Sequence, residues 1–157
     1  MTLSAAPLRP GELAAMHAAL DAARAAGLAD EVPVGAVLLH HGDIIASAQN
    51  RMRRDGDATA HAEVLLLREA MRQLGEARLT DSTLVVTLEP CAMCAGAIVL
   101  SRVARVIFAS WDPKAGMCGS VGDLLRHPRL NHRPEVVGGV LEDDASALLR
   151  EFFSKRR

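Results

Sequence analysis

The sequence predicts an α/β fold, a three-layer α/β/α arrangement around a mixed, mostly parallel five-stranded sheet. Two observations predict it. Five short runs rich in Val, Ile, Leu and Thr recur along the chain, and after the second they alternate with segments of helical period. Such alternation builds an open sheet with helices on both faces. The first two runs are joined by only His40-His41-Gly42-Asp43, which makes them a hairpin and gives the sheet an antiparallel pair.

Met1 to Gly11 holds two prolines and little pattern, and reads as a flexible lead-in to a single domain over residues 12–157. Glu12 to Ala26 is Ala-rich with Leu13, Met16 and Leu20 at helical spacing, and Gly27 is placed to stop it. Val34 to Leu39 and Ile44 to Ala48 are the hairpin strands, and His40 and His41 serve their turn. Thr59 is placed to cap a helix running from near His61 to Leu74. Thr83 to Leu88 is a strand. Cys91 to Leu100 is a helix with Pro90 at its entrance, where a missing N–H does no harm. Val103 to Ala109 is a strand, Val121 to Arg126 a short helix, Glu135 to Gly138 a strand, and Asp143 to Phe153 a closing helix. Strands joined by helical crossovers run parallel, which covers the last three.

Composition sets bounds. At 157 residues, half apolar and 24% charged, the chain suits one globular domain with a real core. Neither a signal peptide nor a membrane span is expected from its patterning. Its three cysteines do not make a disulfide scaffold, and a reducing cytoplasm is the expected compartment. A net charge of −1 excludes a chain that binds nucleic acid by bulk electrostatics. Basic residues nonetheless cluster: Arg51, Arg53 and Arg54; Lys114, Arg126, Arg129 and Arg133; Lys155, Arg156 and Arg157. Such runs are most often solvated surface, but a basic rim around a pocket is what a polyanionic substrate needs.

The chemistry sits in His61-Ala62-Glu63 and Pro90-Cys91-Ala92-Met93-Cys94. His61, Cys91 and Cys94 are three good zinc ligands. Three protein ligands leave one tetrahedral position open, as in catalytic zinc sites, whereas structural sites fill all four. Glu63 is close enough to serve as an acid–base beside the metal without ligating it. Each part alone has a plainer reading: a histidine is commonly just hydrogen-bonded, and Cys-x-x-Cys fits a redox pair or half a structural site. Only Cys118 remains to close a fourth position, and its Gly-rich setting reads as packing. Both halves in this order match the His-x-Glu and Pro-Cys-x-x-Cys signature of zinc nucleobase deaminases. Both fall at expected helix N-termini, where the helix dipole favours thiolates.

Beyond this motif the sequence resembles the bacterial tRNA-specific adenosine deaminases. The resemblance rests on Glu31-Val32-Pro33-Val34-Gly35-Ala36, Asn50-Arg51, Thr59-Ala60-His61-Ala62-Glu63 and the stretch from Thr87 to Ala97. It continues through Ser101-Arg102, Asp112, Lys114, His127-Pro128, Asn131-His132-Arg133, Phe152-Phe153 and Arg156-Arg157. The Asn-His-Arg stretch and the Phe-Phe basic end point to the tRNA enzymes rather than other zinc deaminases. The resemblance implies a cytidine-deaminase-like fold, a homodimer with one zinc per subunit, and deamination of adenosine to inosine at the wobble position of a tRNA anticodon.

Residue by residue, the resemblance implies that His61, Cys91 and Cys94 bind zinc and that Glu63 shuttles protons. Asn50 would hold the target nucleoside, and Asp112 and Lys114 would lie near ribose and phosphates. Asn131, His132 and Arg133 would shape the anticodon-loop surface, with Phe153 and Arg156 on the rim. The chain departs from many relatives in carrying Met52 and Ala58 where they carry proline, which bears on the set of the substrate loop. Two rivals remain: a small-molecule deaminase of guanine or cytosine-type bases, which needs no basic rim, and a tRNA-binding scaffold with an idle zinc site, which has no use for Glu63.

Overall fold

The strands are β1 (Gly35–His40), β2 (Asp43–Gln49), β3 (Ser82–Leu88), β4 (Arg105–Ser110) and β5 (Glu135–Gly138), and they form one sheet in the order β2-β1-β3-β4-β5. The helices are α1 (Glu12–Leu28), α2 (Met52–Asp55), α3 (Ala62–Leu74), α4 (Ala92–Ser101) and α5 (Glu142–Ser154). They are taken from a computed structural model that describes residues 7–156. β1 pairs antiparallel with both β2 and β3, while β3–β4 and β4–β5 are parallel. The sheet is mixed as expected, with its pairings evenly divided rather than mostly parallel, because β1 is antiparallel to both its neighbours.

Strand alternation sorts the core into two layers. Leu38, Leu84, Val86, Val106 and Phe108 point to one face, where Leu66, Leu67 and Ala70 of α3 and Ala95, Ile98 and Val99 of α4 cover them. Their sequence neighbours Val37, Leu39, Val85 and Ile107 point to the other, under Met16, Ala19 and Leu20 of α1 and Ala145 of α5. No helix among the described residues is long and apolar enough to cross a membrane.

The hairpin turn is His41-Gly42, with φ of 51° and 84°. Two consecutive left-handed residues make the tight turn whose twist matches paired strands. α1 runs past Gly27, and Asp30, at φ 64°, takes the left-handed position that Gly27 was expected to supply. Glu31 N–H then closes the helix by donating to Ala26 O at 2.9 Å.

Other differences lie in short segments. The four-residue helix α2 was not anticipated. Thr59 does not cap α3: its hydroxyl donates to Asp57 Oδ1 at 2.7 Å, and the N-cap position falls to His61, which makes no side-chain cap. That leaves the imidazole available for other work. Val121 to Arg126 is not a helix. Leu124 N–H donates to Met117 O at 2.8 Å and Asp123 bridges Cys118, so its backbone bonds back onto the preceding loop. Residues 1–6 of the lead-in lie outside the described residues. Of the rest, Arg9 N–H donates to Glu12 Oε2 at 2.8 Å and Pro7 O accepts from Arg105 Nη2 at 3.2 Å.

α1 sits directly against β1 at Gly35, where a Cβ would lie 2.1 Å from Ala19 O and 2.5 Å from Ala23 N. Backbone atoms cannot yield as a side-chain tip does. Gly35→Ala is therefore expected to destabilise the fold by about 3 kcal/mol, read as a fall in the urea midpoint. An unchanged midpoint would mean that α1 rides further from the sheet.

Candidate active site

Two helix N-termini meet beyond the C-terminal end of β3. His61 is the N-cap of α3, Cys91 the N-cap of α4, and Cys94 lies in the first turn of α4. His61 Nδ1 is 3.6 Å from Cys91 Sγ and 3.5 Å from Cys94 Sγ, and the three ligand atoms all lie within 4.8 Å of one another. Ligands at 2.0–2.3 Å from a tetrahedral zinc stand roughly 3.5 Å apart, so the residues present fit that ion. Among the described residues they are the one cluster of three or more His, Cys, Asp or Glu side chains able to hold a metal.

Charge is arranged for the same purpose. The Cys91 thiol is drawn down to about 3 by the hydrogen bond from Cys94 and then by His61, with burial opposing. Cys94 shifts the other way: it keeps its proton because it donates to Cys91 and is itself buried. A cation drawing on both sulfurs displaces that shared proton. The hydrogen bond with Cys91 likewise raises His61. Glu63, on the first turn of α3, is 4% exposed, and burial raises its carboxyl above the usual range.

These groups open into a pocket of about 170 Å³ lined by Asn50, His61, Glu63, Cys91, Asp112 and Ala115, with Met52 and Leu88 among its apolar walls. Asn50 is 6% exposed, donating from Nδ2 to Val32 O at 3.2 Å and accepting at Oδ1 from Met52 N–H at 3.2 Å. One N–H and one lone pair of its amide remain for a ligand. A wider cleft of about 750 Å³ shares Val32, Leu88 and Asp112 with this pocket and adds Trp111, Lys114, Arg150 and Phe153. Asp112, Lys114 and Phe153 therefore line one continuous surface with His61 and Cys91.

Arg156 lies just past the end of the last helix, in a separate cleft with Arg24 and Leu28. Its guanidinium stacks on Phe152 at 3.4 Å and pairs with Asp30. Asn131, His132 and Arg133 are not brought to the pocket within one chain. His132 Nε2 is 2.6 Å from Val103 O, just before β4, and Arg133 donates to Pro128 O and Leu130 O. The stretch leads into β5, so it sits at the end of the parallel strands opposite the pocket. Several of the clustered cations face acids: Arg51 pairs with Asp55, Arg53 with Asp30, Arg126 with Asp123 and Lys155 with Glu151. Arg51 and Arg54, with Arg68 and Arg72, line a cleft between β2 and α3.

Sequence reasoning missed Glu89. It is 2% exposed, lines the pocket beside Cys91, and accepts four hydrogen bonds. A carboxylate at the end of an otherwise apolar strand was the available signal. Cys118, read as packing, is fully buried, and its Sγ lies 3.9 Å from Pro90 O.

Residues 11–110 match the model of the cytidine and deoxycytidylate deaminase zinc-binding region. The chain is 49% identical over 142 residues to the tRNA-specific adenosine deaminase of Bacillus subtilis, covering 90% of this chain and 88% of that protein. The chain belongs to the tRNA-specific adenosine deaminase family. A solved structure from a study of A-to-I editing by tRNA:A34 deaminases at the wobble position superposes with a TM-score of 0.84 at 43% identity, covering 87% of this chain and 99% of that one. A guanine deaminase from Nitrosomonas europaea superposes with a TM-score of 0.78 at 28% identity, over 98% of this chain and 87% of that one. The fold is thus shared with base deaminases, while sequence identity is higher to the tRNA-specific deaminases. Zinc is the metal of this deaminase region, and the imidazole–dithiol set suits it.

If these three residues hold the metal, Cys91→Ala and Cys94→Ala should each lower zinc from about one ion per chain to near none, while Cys118→Ser retains it. Metal analysis of the purified variants decides the matter. Loss of zinc in Cys118→Ser would make the site closed and structural.

Proposed function

We propose that this chain hydrolyses adenosine to inosine at the wobble position of a tRNA anticodon, in the cytoplasm and as a homodimer. The observation that carries this reading is one small pocket where His61 and Cys91 of the zinc-fitting imidazole–dithiol triad meet the buried Glu63 and the amide of Asn50, in a chain about half identical to a tRNA-specific adenosine deaminase.

His61, Cys91 and Cys94 would hold zinc, which supplies Lewis acidity and lets water lose a proton near neutral pH. The remaining steps belong to side chains. Glu63 takes that proton and delivers it to N1 of the adenine ring, which makes C6 electrophilic. As the water oxygen bonds to C6, Glu63 takes its second proton and passes it to the amine, the C6–N bond breaks, and adenosine and water become inosine and ammonia. A carboxylate whose proton affinity is raised by burial is suited to hold and release a proton in this way. Asn50 orients the nucleoside, and the apolar walls of Leu88 and Met52 exclude bulk water from the base. The adenosine must be unstacked, which an anticodon loop permits more cheaply than a duplex. The wider cleft with Lys114, Arg150, Trp111 and Phe153 lies where neighbouring nucleotides would pass.

Specificity then rests on contacts remote from the reacting atom. Free adenosine is expected to be a very poor substrate beside an anticodon stem-loop, because a truncated substrate forfeits the binding energy that orients the base. Deleting residues 155–157 should weaken stem-loop binding and flatten its dependence on log salt by about 0.7 per lost phosphate contact, with zinc content unchanged. Side-by-side assays of stem-loop, adenosine, cytidine and guanine test the reading. Efficient turnover of free guanine or cytidine, indifferent to the deletion, would replace it with the small-molecule alternative.

A further inference from the structure

Glu89 is a buried carboxylate that the chemistry above does not use. Its Oε1 accepts from Asp112 N–H at 2.9 Å and from the Ser120 hydroxyl at 2.5 Å. Its Oε2 accepts from Cys118 N–H and Ser120 N–H, both at 3.0 Å. Residues 112–120 thus wrap one carboxylate. The wrap is tight, since a Cβ on Gly116 would stand 2.2 Å from Glu89 Cδ. The main chain on either side of that side chain is fixed as well. Glu89 N–H donates to Ser110 O at 2.8 Å, and Met117 N–H donates to Pro90 O at 2.9 Å. Cys91 follows two residues later.

The loop so held carries Asp112 and Ala115, which wall the pocket facing His61 and Glu63. Asp112 is itself set by Asp112 Oδ1 accepting from Lys114 N–H at 3.0 Å and Ala115 N–H at 3.2 Å, so its orientation follows that of the loop. A loop of nine residues that includes Ala115, Gly116 and Gly119 has little reason to hold one shape alone. A buried carboxylate with both oxygens engaged gives it one, since leaving either oxygen unpaired is costly.

We infer that Glu89 is a positioning residue for the deamination site: it fixes the Asp112–Ala115 wall against the segment that bears Cys91, and so sets how the target base faces the metal and Glu63. This rests on the pocket being the deamination site. In this role Glu89 does no chemistry on the base. It acts through the loop.

The isosteric variant Glu89→Gln isolates the effect. Glutamine offers one oxygen and one amide nitrogen. With its oxygen toward Cys118 and Ser120 N–H, its NH2 faces the Ser120 hydroxyl, which can turn to accept, and Asp112 N–H, which cannot. Asp112 is thereby released while the rest of the wrap is kept. Gly116→Ala displaces the same loop from the other side and leaves the carboxylate intact. Ser120→Ala removes only the hydroxyl contact.

The experiment measures zinc content, stem-loop affinity and single-turnover inosine formation for the three variants and wild type. Glu89→Gln should keep its zinc and its affinity for the stem-loop, with the turnover rate down at least about tenfold, because misplacing a reacting group by about 1 Å is enough for such losses. Gly116→Ala should show the same split, and Ser120→Ala should stay close to wild type. Gly116→Ala decides alone if Glu89→Gln does not fold. A zinc-loaded Glu89→Gln or Gly116→Ala protein turning over at the wild-type rate would overturn the inference. So would a loss of rate matched by an equal loss of folded, zinc-loaded protein, which is what a merely structural carboxylate predicts. A wild-type protein that forms no inosine would instead strike the proposed function, so the two failures are distinct.

Discussion

Glu63→Ala is expected to give a folded protein with about one zinc per chain and stem-loop deamination reduced by about 10²–10⁴-fold, the usual range for a lost general acid–base. The variant separates the metal from the proton relay. His61, Cys91 and Cys94 are untouched, and Glu63 contributes its side chain from the first turn of α3 without belonging to the ligand cluster. Folding should not suffer. Glu63 is buried with burial opposing its charge, so truncation removes a group that the fold holds at a cost. Metal analysis and inosine quantification on one preparation test both halves. Substantial residual turnover would remove Glu63 from the relay, and loss of zinc would make it a support of the metal site instead.

The motif that led to Glu63 was legible because its parts are local. His61 and Glu63 are two residues apart and Cys91 and Cys94 three, and each pair opens a helix whose period is plain in the sequence. The same locality made the hairpin readable, together with the strands of β3 to β5 and the two long helices that flank them. Elements shorter than a few turns were not readable. The four residues of α2 carry too little period to be seen, and Val121 to Arg126 has a helical look that loses to hydrogen bonds with residues 116–119. Thr59 was a sound cap by type, but Asp57 was closer.

What escaped altogether depends on partners far along the chain. Glu89 finds its donors 23 to 31 residues away. The stretch from Asn131 to Arg133 shows the converse. Its residue types resemble those of the tRNA enzymes, yet only the topology reveals that it lies beyond the opposite end of the sheet from its own pocket. The candidate catalytic groups could be read from spacing. The scaffolding that orients them could not.

The largest effect on stability is expected far from the pocket, at Arg105. This residue opens β4 and is 1% exposed. Its Nε and Nη2 reach both oxygens of Glu12 at 2.8 and 3.0 Å, a two-pronged pairing that suits a guanidinium. Nη1 reaches Glu135 Oε2 at 2.9 Å and Nη2 also reaches Pro7 O at 3.2 Å. Glu12 is only 2% exposed and begins α1, so the cluster joins that helix to the first residues of β4 and β5. Arg105→Met keeps most of the apolar stem but strands the Glu12 carboxylate in the interior, which is expected to cost about 3–5 kcal/mol. Glu12→Met alone should cost less, because the guanidinium keeps Glu135 and Pro7 O as partners. The pair mutated together should recover much of either loss, because two apolar groups of similar volume avoid the desolvation of both ions. Urea unfolding of the four proteins closes the cycle. Single-variant losses that simply add in the double variant would show that the ions do not act on each other. Because the cluster sits at the pocket-distal end of β4, the folded fraction of each variant should retain its zinc and its rate of inosine formation, which separates this device from Glu89.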